Sequence, residues 1–414
     1  MIAELCEEGF GDARDDAHGD ARRALHDRIA AFIARGDDGD DGKHEFETLA
    51  LEAFAFQFAT IRPYQALCRG LARTPDNVTS WRQIPAVPAI AFKQYSLFAG
   101  APEAIIRTFR SSGTTEPSRS SRAHFSRGGL ELMDAAIAAG ARSRLFPDGR
   151  GTRILVLAPP PEQVPHMIMV HGMAHMIREF GLPGSRFLAG PRGIDFGALW
   201  AELDGCQWAG IPVSLLGSSF GFVHLFDWME REGCRLELPA GSRLLDAGGY
   251  KGKSREIGRD EFVAWAARLC GLRPARVINL LGMTELATQI YDRLTPGEAP
   301  GATSVARMKL PPHWMRTSVV DPRRPGRHGP EAVGDGEVGL LRHVDLANLE
   351  RPIAIQSEDV GRAVSASIDG VLRRGFEILG RARGAEPRGC SLTADDLARP
   401  DTRADDVAAR SACA

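Results

Sequence analysis

Four short, largely apolar runs constrain this chain more than any other feature. They are Arg153–Ala158 (RILVLA), Ile211–Ser219 (IPVSLLGSS), Ser242–Tyr250 (SRLLDAGGY) and Ala275–Leu281 (ARVINLL). Runs this short, closed by proline or glycine, read as buried strands. Segments of helical period fall around them, at Gly128–Ala141, Phe222–Glu230 and Arg259–Cys270. Strand alternating with helix predicts an α/β domain with much parallel pairing, whose ligands gather beyond the carboxyl ends of the strands. Gly217, Gly248 and Gly282 stand at three such ends, so a nucleotide pocket is expected there.

The flanks of this core are less regular. Residues 1–45 form a charged N-terminal arm, expected to be partly disordered, although Leu25, Ile29, Phe32 and Ile33 within Ala21–Ala34 have helical spacing. The acidic knot at 36–42 alternates Asp and Gly but lacks a clear glutamate at the twelfth position, so a solvated loop is favoured over a calcium loop. A second helix is expected over Phe46–Phe58, its stripe of Phe46, Leu49, Ala50, Phe54 and Phe58 facing a core. Ile84–Ile90 holds two prolines and is not a central strand. The chain's 414 residues fit one large domain with an appendage, or two domains. With 51 basic and 53 acidic residues, no nucleic-acid or membrane-surface partner is implied. Seven scattered cysteines, none spaced CxxC, predict reduced thiols. Acidic residues at the start and the lack of a long apolar run predict a soluble, cytoplasmic protein without membrane insertion.

Two stretches could carry chemistry. Ser111-Ser112-Gly113-Thr114-Thr115, flanked by Arg110, Arg119 and Arg122, has the hydroxyls, the flexible glycine and the cations that wrap a polyphosphate. It lacks the spacing and the lysine of a Walker loop, and a solvated Ser/Thr-rich loop is the competing reading. His171 and His175, four apart on a Met-rich segment with His166 before them, either share a helical face as metal ligands or pack; packing is favoured.

At Asn279-Leu-Leu-Gly-Met-Thr-Glu285, with the hydroxyl loop ahead and Gln356-Ser-Glu-Asp359 behind, the chain resembles the adenylate-forming enzymes. The order of blocks agrees: hydroxyl loop, Ala-Gly-Gly at 247–249, Gly-x-Thr-Glu, an acid, then Gly380-Arg381. The stretches at 46–68, 247–253 and 388–392 resemble the LuxE-type acyl-protein synthetases, over roughly residues 46–397. The resemblance implies an adenylation core at 46–380, with β-sheets flanked by helices, and a truncated C-terminal segment at 381–414. It implies that Ser111, Ser112, Gly113, Thr114, Thr115 and Arg119 hold the β- and γ-phosphates of ATP. Gly248, Gly249 and Tyr250 would line adenine, while Gly282 opens the turn from which Thr284 bonds the α-phosphate and Glu285 ligates Mg²⁺. Asp359 would take the ribose hydroxyls, and Arg381 would sit at the hinge. The acid and turn residues also have plain readings as a surface acid and a helix-terminal acid.

Three departures from the family pattern stand out. Glu116 replaces a loop glycine, Leu281 replaces the aromatic that stacks on adenine, and no lysine follows Lys309, so the usual C-terminal catalytic lysine is missing. The last departure agrees with the LuxE branch, which the resemblance describes as passing a fatty acyl group from its adenylate to an enzyme cysteine and on to a reductase. Cys390, beside Arg381, Arg383 and Arg388, is the expected nucleophile because nearby cations favour a thiolate. Cys413 competes with it, and an inert, packed Cys390 is the bland alternative. Ile211–Leu216 and the turn at 217–221 are candidate walls of the acyl site. Transfer to CoA or a carrier protein, or a weakened nucleotide-binding scaffold, are the alternative functions.

Overall fold

The computed structural model describes residues 13–35, 42–111, 120–190, 193–249, 254–294, 307–326, 329–368 and 370–382. Three helices open it: α1 (Ala13–Ala34), α2 (Lys43–Thr60) and α3 (Arg62–Gly70). An edge strand β1 (Val87–Pro88) and the one-turn helix α4 (Ala91–Gln94) lead to the hairpin β2 (Arg107–Arg110) and β3 (Arg122–Phe125), then to α5 (Arg127–Arg144). The parallel part follows as β4 (Arg153–Leu157), α6 (Ile168–Phe180), β5 (Arg186–Phe187), a small hairpin β6 (Ala189–Gly190) and β7 (Gly193–Ile194), α7 (Phe196–Ala209), β8 (Val213–Ser218), α8 (Ser219–Glu232), β9 (Arg243–Ala247), α9 (Arg259–Cys270) and β10 (Val277–Leu281). The chain then turns antiparallel through β11 (Ile290–Leu294), β12 (Arg307–Leu310), β13 (Met315–Gly326), β14 (Gly329–Ala332), β15 (Val338–Asp345), β16 (Ala354–Ile368) and β17 (Val371–Arg381).

Among the described residues one large sheet runs in the order β14-β13-β15-β16-β17-β12-β11-β10-β9-β8-β4-β5, with β1 added alongside β16. The expected α/β architecture, a sheet flanked by helices, is therefore present. All four runs expected as strands are strands, paired in parallel in the order β4-β8-β9-β10. Their composition explains the pairing: every residue of β8 is buried, as strands covered by helices on both faces must be. Asp195 and Ser218 cap α7 and α8 by accepting from Ala198 and Gly221 N–H. Gly210, Gly233 and Gly271 close α7, α8 and α9 in left-handed backbone, where a side chain is strained.

The strands end in step. Leu157 pairs with Gly217, Gly217 with Asp246, and Asp246 with Asn279. Gly248 and Gly282 consequently leave the sheet from neighbouring strands on one edge.

The N-terminal helices belong to the core rather than hanging from it. Leu25, Ile29, Phe32 and Ile33 of α1 are buried in the same cluster as Phe46, Leu49 and Phe54 of α2 and the strands of the sheet. At about 1.5–3 kcal/mol for each large apolar side chain buried, four such contacts outweigh the charged outer face of α1. Pro88 occurs where proline is tolerated, in the two-residue edge strand β1. Cys68, Cys206 and Cys270 are free and buried, as expected for reduced thiols. No helix among the described residues is long and apolar enough to cross a membrane.

Candidate active site

The hairpin β2–β3 has two unlike faces. Phe109, Ala123 and Phe125 point into the core, while the cross-strand pairs Thr108–His124 and Arg110–Arg122 share the other face. This alternation follows from the two-residue period of a strand. At its open end Ser111 N–H donates to the Ser121 carbonyl at 3.0 Å, and Ser111 Oγ accepts from Ser121 N–H at 2.9 Å. Ser112, Gly113, Thr114, Thr115, Glu116 and Arg119 lie outside the described residues, so the structure positions the base of the hydroxyl loop and not its tip. The base is strongly cationic. Burial, with Arg122, Arg351 and Arg110 close by, holds His124 below its ordinary pKa, so the imidazole stays neutral among the guanidinium groups.

The Gly-x-Thr-Glu segment forms the turn between β10 and β11. Thr284 and Glu285 are each 1% exposed, far from the solvated helix-end acid of the plain reading. Asn348 Nδ2 donates to the Glu285 carbonyl at 2.8 Å, and Asn348 Oδ1 accepts from Ala287 N–H at 3.0 Å. Asp345 accepts from Thr288 N–H at 2.9 Å and Thr288 Oγ1 at 2.7 Å, and also from Ala287 and Ala347 N–H. The turn is thus held from outside its own strands, by the corner at 345–351 between β15 and β16. This corner is seated in turn by Gln57, fully buried on α2, whose amide donates to the carbonyls of Asn348 and Leu349 and accepts from Ile353 N–H.

A row of polar residues underlies Gly248 and Gly282. Asn279 Nδ2 donates to Asp246 Oδ2 at 2.8 Å, Arg259 donates to Asp246 Oδ1 at 2.6 Å, and Ser219 Oγ reaches both Asp246 Oδ2 and the Gly248 carbonyl at 2.8 Å. Lys309 Nζ donates to the Asn279 carbonyl and Oδ1. Burial lowers the Lys309 pKa to about 8, against the pull of Asp292 and Asp246. These bonds fix the backbone where it leaves β9, and Gly248, with φ of 77°, adopts left-handed backbone there. Gly248 and Gly249 are exposed; Tyr250 lies outside the described residues.

Asp359 and Arg381 lie on the antiparallel part of the sheet. They are cross-strand partners on β16 and β17, with Arg381 Nε 3.5 Å from Asp359 Oδ1 and its Nη2 on Glu358. Strands β17, β12, β11 and β10 separate β16 from β9 in the sheet order. Cys390 and Cys413 lie outside the described residues, as does the acidic knot at 36–41. His171 and His175 find a partner the sequence did not disclose. Asp134 of α5 lies 2.7 Å from His171 Nε2 and 3.5 Å from His175 Nδ1, with Arg178 completing the group. Among the described residues no group of three or more potential ligands has the arrangement to hold a metal ion, and these histidines pack in a hydrogen-bonded cluster with Asp134 and Arg178 between α5 and α6.

A family profile described as acyl-protein synthetase, LuxE, matches residues 38–397. The chain belongs to the LuxE acyl-protein synthetase family. A long-chain-fatty-acid–luciferin-component ligase from Aliivibrio fischeri is 23% identical over 319 residues, 76% of this chain and 78% of that protein. Among solved structures, a long-chain-fatty-acid–CoA ligase from Archaeoglobus fulgidus matches 67% of this LuxE-family chain and 52% of its own, at 11% identity and a TM-score of 0.42. A natural red-emitting luciferase from Phrixothrix hirtus matches 66% and 47%, at 14% identity and a TM-score of 0.36. The chain spans about half the length of these two solved structures.

Several residues that build the site were not singled out from the sequence: Asp246, Arg259, Asp345, Asn348, Arg351 and Gln57. For Asp246 a signal existed. A charge inside an otherwise apolar strand must find partners, because leaving it unpaired in a core is prohibitive.

Proposed function

We propose that this LuxE-family protein activates a fatty acid with ATP and then carries the acyl group on its own cysteine. In the first step a carboxylate oxygen of the acid attacks the α-phosphorus of ATP. The bond to the β-phosphate oxygen breaks, and pyrophosphate leaves. In the second, the Cys390 thiolate attacks the acyl carbon, the bond to the phosphate oxygen breaks, and AMP leaves; the thiol proton has already passed to solvent. A partner acyl reductase or a carrier protein would then receive the acyl group from the thioester.

The observation that carries this reading is the tie between the phosphate hairpin and the Thr284–Glu285 turn. Arg351 donates to the His124 carbonyl on β3 and to Asn348 Oδ1, and Asn348 holds the Glu285 carbonyl. This tie supports a reading in which the cationic loop base and the buried acid serve one site. Arg110 and Arg122 suit the β- and γ-phosphates. Thr284 suits the α-phosphate, and the exposed Gly248–Gly249 backbone suits adenine. Glu285 offers the hard carboxylate oxygen that Mg²⁺ takes together with phosphate oxygens. When bound there, the ion would stabilise charge developing on the α-phosphate. Asp359 is assigned to the ribose and Arg381 to the hinge.

Exchange of labelled pyrophosphate into ATP, dependent on added fatty acid, tests the first step. Glu285→Gln is expected to lower that exchange by about 10²–10³-fold, the scale for losing one electrostatic stabiliser of a transition state. For the second step, labelled fatty acid should stay on the denatured protein, be released by hydroxylamine, and be absent from Cys390→Ala. Label persisting in that variant would move the acceptor to Cys413 or another group.

A further inference from the structure

The hairpin β2–β3 forms a two-stranded sheet of its own, outside the large sheet. The turn at 282–289 likewise lies between β10 and β11, beyond their paired residues. Sheet hydrogen bonding therefore does not set the distance between these two segments. What joins them is the corner at 345–351. Arg351 is 1% exposed; its guanidinium lies 3.6 Å from the Phe125 ring centroid, donates to the His124 carbonyl at 3.2 Å, and donates to Asn348 Oδ1 at 2.7 Å. Asn348 is fully buried and passes the connection on to Glu285 and Ala287. The neighbouring Glu350 fastens the same corner to the start of α5, accepting from Ser126 Oγ at 2.6 Å and from Ser126 N–H at 3.2 Å.

We propose that Asn348 and Arg351 form one positioning unit that sets the spacing between the phosphate hairpin and the Thr284–Glu285 turn. The consequence for catalysis rests on the adenylation reading; the coupling itself does not. The guanidinium geometry matters here. Its planar fork serves a backbone carbonyl on one side and an amide oxygen on the other while stacking on a ring, which a lysine ammonium does not reproduce. The amide of Asn348 matters equally, since it accepts from Arg351 and donates to Glu285 with opposite ends of one rigid plane.

Two substitutions in the full-length chain test this. Arg351→Lys keeps the charge and loses the fork. Asn348→Asp keeps an acceptor for Arg351 and removes the donor to Glu285. Hydrogen exchange is read on peptides covering residues 105–111 with 120–126 and residues 280–290. Coupling predicts that each substitution loosens both segments. The proposal is overturned if Arg351→Lys speeds exchange only in the hairpin and Asn348→Asp only in the turn. Should Asn348→Asp fail to accumulate, the response of residues 280–290 to Arg351→Lys decides alone. In pyrophosphate exchange, either variant is expected to raise both the KM for ATP and the Mg²⁺ concentration for half-maximal rate by about tenfold, since small misplacements of a reacting group carry penalties up to 10²-fold. Both dependences unchanged, with only kcat reduced in step with the folded fraction, would mark the pair as merely structural and overturn the role in catalysis. A wild-type protein that exchanges with no acid removes the adenylation reading, while hydrogen exchange still decides the coupling.

Discussion

Glu285 and Asp359 carry the same charge and are assigned here to the same nucleotide, yet the protein builds them in opposite ways. Glu285 is 1% exposed in a turn whose backbone is held by Asn348 and Asp345, and Asn348 is itself seated by Gln57 from a helix almost three hundred residues earlier in the chain. Asp359 lies on the β16–β17 ribbon, its side chain 17% exposed and shared with Arg381 at 25%. A buried acid in a turn braced by two other segments keeps one orientation. An acid on a ribbon, paired at 3.5 Å with a part-exposed arginine, can exchange that partner for a ligand. The difference agrees with the proposed roles of a metal ligand on one side and a nucleotide contact on the other.

The comparison breaks most visibly at Asp345. It is fully buried and accepts four hydrogen bonds, two of them from the N–H groups of Ala287 and Thr288 in the Glu285 turn. Burial pushes its carboxyl pKa upward, opposed by those bonds and by Arg351. Asp345→Ala orphans buried donors and is expected to lower stability by about 3–5 kcal/mol in urea titrations. A loss under about 1 kcal/mol would mean the turn stands without its brace. Gln57→Ala acts one step further back and removes bonds to the same corner. Its expected effect is about 2–3 kcal/mol, read in the same titration, with pyrophosphate exchange falling although α2 lies behind the site.

The root of the ribbon supplies a third test. His343 on β15 is fully buried against Phe376 of β17, with Nδ1 2.9 Å from Thr317 Oγ1, and burial lowers its pKa to about 3. The unfolded chain takes up this proton near pH 6.5, whereas the folded one resists until about 3. Stability should therefore fall as pH drops through that window, by up to about 1.4 kcal/mol per pH unit from this residue, and be flat above it. His343→Gln is expected to remove that slope in denaturation midpoints collected from pH 7 to pH 4. An unchanged slope would place the imidazole in contact with water.

The two sides of the site also differ in how far the sequence discloses them. The parallel strands and the helices α5, α8 and α9 are legible because burial on both faces demands a largely apolar composition, and caps such as Ser218 and Gly233 punctuate α8; α7 was not read from the sequence. The Gly-x-Thr-Glu turn is legible because it sits at a strand end. The ribbon β16–β17 is not: Ala354–Ile368 lacks a regular alternation, with the polar run Gln356–Asp359 and then Gly361 breaking the pattern of a strand. The corner at 345–351 is the least legible. Asp345-Leu-Ala-Asn-Leu-Glu-Arg351 has the mixed polarity of any surface loop, and its meaning comes from contacts with Gln57, His124 and Glu285, which no local pattern announces. Folding reads such a segment through partners distant in the chain, so its polar residues look like solvent contacts until the fold is known.

The smallest stability effect expected belongs to the Asp359–Arg381 pair, and it is the one that most sharpens the contrast. A part-exposed ion pair contributes about 0–1 kcal/mol, because water already solvates both groups and ordering two side chains opposes the attraction. Arg381→Ala also releases Glu358, whose bond to Arg381 is equally part-buried. The folded protein should tolerate this, with a urea midpoint inside about 1 kcal/mol of wild type. Asp359→Asn should behave the same way in unfolding. Its KM for ATP should nevertheless rise by about tenfold, the scale of one charge-assisted bond to a ribose hydroxyl, with KM for the fatty acid unchanged. A large drop in stability would show that the ribbon is braced like the Glu285 turn, and an unchanged KM would take Asp359 out of the nucleotide site.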